Sequence, residues 1–187
     1  MDAKKITIRP ATKEDADLIS RIVIMALGAE PDTHPLREIF KELASREVAQ
    51  YSYHNVLVAE MNGIAAGALV GYDGARLYEL RTPLLEMVAE KFGEPFNIED
   101  EAQPDEFYLD SLTVLPEYRG NGIARQLIES MCEKAFSAGY ERVGLLVDWE
   151  NPNAEKLYRS IGFRRINPTT FLGHQMWHMQ LSQPSEQ

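Results

Sequence analysis

The chain of 187 residues contains one cysteine, Cys132, so it forms no internal disulfide, and its Cys and His residues nowhere take a zinc-binding spacing. Neither a structural metal nor a disulfide staple is expected. No apolar run approaches the ~20 residues that span a bilayer, and Met1-Asp2-Ala3-Lys4-Lys5 lacks the apolar core of a signal peptide. These absences argue for a cytoplasmic protein with no membrane partner. Positive charge is also scarce: 19 Lys plus Arg stand against 29 Asp plus Glu, and a formal net charge of -10 repels polyanions. Nucleic acid is excluded as a bulk partner. What is present, 44% hydrophobic and 26% charged residues, has the balance of one globular domain able to bury a sizeable core.

Ile6 and Ile8 alternate with polar neighbours over Lys5 to Arg9, which predicts a strand; Thr12 with Asp15 three residues on caps a helix that Gly28 ends after about Leu27. Pro31 and Pro35 precede a second helix, roughly Leu36 to Ala49. Asn62-Gly63 joins two strands, Asn55 to Met61 and Ile64 to Tyr72, as an antiparallel hairpin. A helix from Ala75 to Phe92 leads into a loop, Gly93 to Glu106. Between Glu86 and Glu106 lie eight acids and one base, Lys91. Such a segment is either a solvated loop or an acidic rim beside a cleft, and the rim would favour a cationic substrate. Then follow a strand (Phe107 to Val114), a turn at Leu115-Pro116-Glu117-Tyr118, a helix (Asn121 to Ala138) and an apolar strand (Arg142 to Val147). The helix Asn153 to Ile161 and two strands, Phe163 to Ile166 and His174 to Leu181, complete a single domain over residues 1–182. Residues 183–187 read as a loose tail.

The junction Arg119-Gly120-Asn121-Gly122-Ile123-Ala124 places two glycines between a strand and a helix. There the backbone can approach a ligand closely, and the amides of the helix's first turn favour an anion, although a tight turn with nothing bound fits the same residues. A Walker loop is excluded because no Gly-Lys-Ser or Gly-Lys-Thr follows, and the dinucleotide fingerprint would need its third glycine at Arg125. These residues resemble the GNAT superfamily of acyl-CoA-dependent N-acyltransferases. Arg119, Gly122 and Ala124 match its Arg/Gln-x-x-Gly-x-Gly/Ala signature, after a strand ending Leu112-Thr113-Val114. About 30 residues on, Asn151, Ala154, Leu157, Tyr158, Gly162 and Phe163 match its Asn-x-x-Ala-x-x-Leu-Tyr-x-x-x-Gly-Phe segment.

The resemblance implies a mixed α+β fold: a mostly antiparallel sheet of six to seven strands, splayed between strands 4 and 5 and flanked by helices on both faces; the chain departs from the family in a longer connection between strands 3 and 4, an insertion at about residues 73–106. It implies acetyl-CoA as co-substrate, no metal, and a primary amine of a small molecule or peptide as acceptor, attacked directly in a ternary complex by a monomer or homodimer. The pyrophosphate would lie on the amides of Arg119 to Ala124, and the pantetheine arm on the main chain of Leu112, Thr113 and Val114. Arg125 either pairs with a phosphate or is an exposed solubilising residue.

Tyr158 stands at the family's general-acid position, where a phenol can protonate a departing thiolate; the alternative is a core ring packed under the cofactor. Asn151 contacts cofactor or water, or simply caps its helix. The base is harder to assign, because Tyr108 and Leu146 stand where the family often has glutamate. Asp110 is the acid inside the fourth strand, facing with Leu112 and Val114 if no bulge intervenes, and it either takes a proton, holds a cationic substrate or makes a structural hydrogen bond. Asp148 is the second choice. His34, His54, His174 and His178 share no spacing, Cys132 reads as buried packing, and Trp149 and Tyr108 are candidates to line the acceptor side. An acyl-CoA-binding sensor without turnover is the alternative function.

Overall fold

The computed structural model describes residues 5–183; Met1 to Lys4 and most of the expected tail, Pro184 to Gln187, lie outside them. Alternating apolar residues build seven strands: β1 (Ile6–Pro10), β2 (Val56–Met61), β3 (Ile64–Asp73), β4 (Phe107–Val114), β5 (Arg142–Asp148), β6 (Arg164–Phe171) and β7 (His174–Ser182). They pair into one sheet in the order β1-β2-β3-β4-β5-β7-β6. Asn62 and Gly63 take positive φ (54° and 80°), the conformation a two-residue hairpin loop needs to match strand twist, and so close β2 onto β3. Every pairing is antiparallel except β4 with β5.

That parallel pairing covers only Phe107–Val143, Tyr108–Gly144 and Leu109–Leu145. Beyond it β4 continues through Asp110–Val114 and β5 through Leu146–Asp148 without pairing to each other. The two strands part in the middle of the sheet.

Helices cover both faces. On one lie α1 (Ala16–Ala26), α2 (Arg37–Ser45) and α3 (Leu77–Phe92), whose Ile19, Val23, Phe40, Leu43 and Leu80 pack on Val58, Val70 and Tyr72. On the other, α4 (Ile123–Ser137) buries a stripe of Ile123, Leu127, Met131 and Ala135, four residues apart, against Leu69, Leu109 and Leu145. α5 (Pro152–Ile161) joins this second face through Leu157, Tyr158 and Ile161. Fully burying one such Leu or Ile contributes about 1.5–3 kcal/mol, so the helical stripes hold the parted sheet from both sides.

Three differences from expectation have physical causes. α2 stops at Ser45 because Arg46 is extended (φ -81°, ψ 152°), and further along the chain the Gln50 amide donates to Leu80 O of α3 (2.7 Å). β6 runs through Pro168 to Phe171, since at the sheet edge the missing N–H of proline breaks no ladder. In β4 the register jumps from Val70–Ser111 to Gly71–Leu109, leaving Asp110 as the extra residue of a bulge. The bulge reverses the facing expected for Asp110. It stays on the α1–α3 face with Tyr108, while Leu112 and Val114 turn toward α4.

Candidate active site

Gly120 and Gly122 take φ of 76° and 78°, left-handed values that side chains rarely adopt, and open space lies where a Cβ would project from either. Gly122 is the N-cap of α4, and no side chain caps the helix. At the start of the turn Arg119 N already donates to Pro116 O (3.3 Å), and α4's own ladder begins with Gln126 N on Gly122 O (3.2 Å). The amides of Ile123, Ala124 and Arg125 therefore emerge at the positive end of the helix dipole without helical partners. The side chains of Arg119 and Asn121 build the turn: Arg119 Nε donates to Val114 O (3.0 Å), and Asn121 Nδ2 to Tyr118 O (2.8 Å) and Arg119 O (3.2 Å). Arg125 donates to Glu129 Oε1 (3.2 Å) and Ser160 Oγ (2.6 Å), tying α4 to α5.

The turn lies just beyond the free edge of β4. Leu112 and Val114 pack half-buried on the α4 face, whereas Thr113 points the other way and donates from Oγ1 to Ile22 O of α1 (3.1 Å). From the same side as α4, Tyr158 sets its ring edge-on to Phe163, centroids 5.9 Å apart, and its hydroxyl has no hydrogen-bond partner among the described residues. Burial pushes that hydroxyl up to about 12, so it holds its proton at neutral pH. Asn151 Oδ1 accepts from Ala154 N (3.1 Å) and caps α5.

Across the sheet, Asp110 Oδ2 accepts from the Tyr72 hydroxyl (2.6 Å) and Gln50 Nε2 (3.0 Å), and Oδ1 from Ser111 Oγ (2.6 Å). Gln50 Nε2 also reaches Glu101 Oε1 (2.6 Å), and the other oxygen of Glu101 meets Arg81 of α3 in a buried ion pair. Burial raises the carboxyls of both Asp110 and Glu101 above the usual range, and the Asp110 charge raises Glu101 further against the opposing pull of Arg81. Asp110 thus follows the last β4–β5 pair, at Leu109, on one face of the sheet, and Tyr158 packs with the α4 cluster on the other.

The acidic segment is neither wholly solvated nor simply a rim. Glu101 and Glu106 are buried, 4% and 1% exposed, while Glu94 and Glu99 remain at the surface. Glu106 Oε2 receives Gln180 Nε2 (2.7 Å) and lies 2.9 Å from His178 Nε2. Its carboxylate crosses Gly144 so closely that a Cβ there would fall 2.0 Å from Oε2. Asp148 is engaged by His174 Nδ1 (2.8 Å) and the Glu150 amide (2.8 Å). Trp149, 46% exposed, stacks on Trp177 at the open end of β5, and Tyr108 is buried against Tyr72. Burial pushes the Cys132 thiol up to about 12, too high for a thiolate nucleophile. His34 lies in the loop before α2, where its Nδ1 accepts from the Leu36 amide (3.2 Å), and His54 in the short turn before β2, its ring against Tyr53.

Sequence reasoning missed Gln50, Tyr72, Arg81, Glu101 and His178 as partners of the site. The one available signal was Arg81, a base on a helix leading into a run of acids. No helix of the described residues is long and apolar enough to cross a membrane, and no group of three metal-ligating side chains occurs among them.

Residues 28–163 match the Acetyltransferase (GNAT) family. Over 166 residues the chain is 31% identical to N-alpha-acetyltransferase RimI of Mycobacterium tuberculosis, a span of 88% of this chain and 82% of that relative. A crystal structure of an acetyltransferase superposes with a TM-score of 0.79 at 35% identity, covering 94% of this chain and 98% of the other. The yncA protein of Salmonella typhimurium, solved with its cofactor acetyl-CoA, shares the fold at a TM-score of 0.62 and 20% identity over 95% of this chain and 93% of its own. With the parted strands, the uncapped helix end and these likenesses together, the chain belongs to the GNAT family, the acyl-CoA-dependent N-acyltransferases.

Proposed function

We propose that the protein transfers the acetyl group of acetyl-CoA to a primary amine by direct attack in a ternary complex, with Asp110 as base and Tyr158 as acid. The observation that carries this reading is the gap between β4 and β5, with outward amides at one end and these two side chains on opposite faces. The residues fit the co-substrate. The amides of Gly122 to Arg125 suit a pyrophosphate, open space lies in front of both glycines, and the free edge of β4 at Leu112 to Val114 can accept a pantetheine arm as an added half-strand.

Acetyl-CoA supplies an activated acyl group: the amine nitrogen bonds to the thioester carbon while the carbon–sulfur bond breaks and the sulfur keeps the electron pair. Asp110 takes one proton from the incoming ammonium, freeing the lone pair. Tyr158, protonated at neutral pH, donates to the departing sulfur and regains a proton from the new amide nitrogen. Overall the ammonium loses two protons, one to sulfur and one through Asp110 to water. Since the RimI relative is named as an N-alpha-acetyltransferase, the α-amine of a peptide is the first acceptor to test, followed by small cationic amines.

Two-substrate kinetics test the mechanism. Rates measured across both concentrations should give intersecting double-reciprocal lines. Parallel lines, with an acetylated enzyme seen by mass spectrometry, would replace direct attack by a covalent route.

A further inference from the structure

Four polar atoms around Asp110 make more contacts than their hydrogens can serve. Gln50 Nε2 lies 2.9 Å from the Tyr72 hydroxyl, 2.6 Å from Glu101 Oε1 and 3.0 Å from Asp110 Oδ2. The Tyr72 hydroxyl lies 3.2 Å from the same Glu101 oxygen and 2.6 Å from the same Asp110 oxygen. The carboxamide nitrogen carries two protons and the phenol one, so three hydrogens face five contacts. A fourth hydrogen, on one of the carboxyls, narrows the deficit to one contact.

Charge leads to the same count. Gln50, Tyr72 and Glu101 are 2%, 2% and 4% exposed, so water does little to screen two carboxylates that share neighbours. Facing the pair are Tyr51 from the segment after α2, Tyr72 from β3, Arg81 from α3, and Tyr108 and Ser111 from β4, with exposed Asp100 beyond Arg81. The three phenols are held neutral by burial and by the acids themselves. One guanidinium and two carboxyls reach neutrality with a single bound proton, and like charges in a shared buried site resist ionising together.

We propose that Glu101 is a positioning residue for acyl transfer: clamped by Arg81, it holds one proton in common with Asp110 through Gln50 and Tyr72, and so sets how strongly Asp110 attracts the amine's proton. The proposal rests on the reading of Asp110 as base. It gives the inserted segment a chemical task, because α3 contributes Arg81 and the following loop contributes Glu101. The two acids titrate as one unit: below the acidic limb they hold one proton between them, and its departure leaves Asp110 free to take a proton from the ammonium while Glu101 stays paired with Arg81.

The test is the pH dependence of kcat/KM for the wild type, Glu101→Gln, Glu101→Asp and Asp110→Asn, with folding followed by circular dichroism and CoA affinity by calorimetry. Glu101→Gln removes the neighbouring negative charge and leaves Arg81 unbalanced, so Asp110 ionises more readily. Its acidic limb should move down by about one pH unit or more with CoA affinity unchanged, and Glu101→Asp should restore part of the shift. A folded Glu101→Gln enzyme with an unmoved limb overturns the proposal. A limb that persists in Asp110→Asn overturns instead the assignment of Asp110 as base. Should Glu101→Gln fail to fold, infrared spectroscopy of the wild type below its acidic limb decides: a protonated-carboxyl band absent from Asp110→Asn supports the shared proton, and its absence from the wild type refutes it.

Discussion

Tyr158→Phe removes one hydroxyl and leaves the surrounding packing in place. The ring keeps its edge-on contact with Phe163 (5.9 Å, 63°) and its seat beside Leu157 and Ile161 on the α4 face. No protein hydrogen bond is lost, since none to that hydroxyl exists among the described residues, so the change in stability should stay within about 0.5 kcal/mol. Turnover should respond very differently. A positioned general acid contributes about 10²–10⁴-fold, which corresponds to roughly 2.7–5.5 kcal/mol of barrier. Because burial pushes the hydroxyl up to about 12, it stays protonated throughout an assay between pH 6 and 9. Any basic limb in that range therefore belongs to another group. The assay is thiol release under single-turnover conditions, with CoA affinity measured by calorimetry. We expect kcat to fall at least ~10²-fold while the Kd for CoA changes less than about 3-fold. Near-wild-type chemistry in the variant would reduce Tyr158 to a packing residue, and a loss confined to CoA affinity would make it a cofactor contact.

CoA should raise the melting temperature of the wild type and leave Gly122→Val unmoved, because a β-branched residue at φ 78° is strained and its side chain enters the space before the helix amides. A folded Gly122→Val protein that keeps the full shift would move the pyrophosphate elsewhere. Gly144→Ala should lose on the order of 2–4 kcal/mol in urea unfolding, since the added methyl meets the buried Glu106 carboxylate at 2.0 Å; a loss below about 0.5 kcal/mol would mean that this carboxylate is free to move. Exposed Glu99 borders the β6–β7 turn, where the Leu172 amide donates to its Oε2 (3.3 Å), and Glu94 is exposed in the same loop, so changing both to Gln should lower kcat/KM for cationic amines a few-fold at low salt and hardly at all at high salt. Equal effects on neutral amines would rule out steering.

Local signals were legible where one segment carries them whole. Asn62-Gly63 specifies its own turn, and the four-residue stripe of α4 specifies its buried face, so both stand as expected. The glycine turn was legible because its chemistry is carried by backbone conformation alone. Asp110 was singled out correctly as the acid within β4, yet its facing was not legible, since the bulge arises from the register against β3 and not from β4's own residues. Glu101 was hidden for a related reason. A run of acids reads as solvated until a distant cation is placed against one of them, and Arg81 lies 20 positions earlier on another element. The strand expected to stop at Ile166 runs on through Pro168 to Phe171, because that proline's tolerance depends on β6 lying at the sheet edge, which only the assembled topology reveals.

The central claim is that the parted strands bring acetyl-CoA and an amine together for direct transfer. Incubating the enzyme with acetyl-CoA and either peptide α-amines or small primary amines, and quantifying free CoA and N-acetyl product by mass spectrometry, tests it most directly. The account predicts amine-dependent release of CoA matched one-to-one by acetylated amine, abolished or strongly reduced in Asp110→Asn. CoA-induced thermal stabilisation with no amine-dependent release across the panel would contradict it and leave a binding protein that senses acyl-CoA.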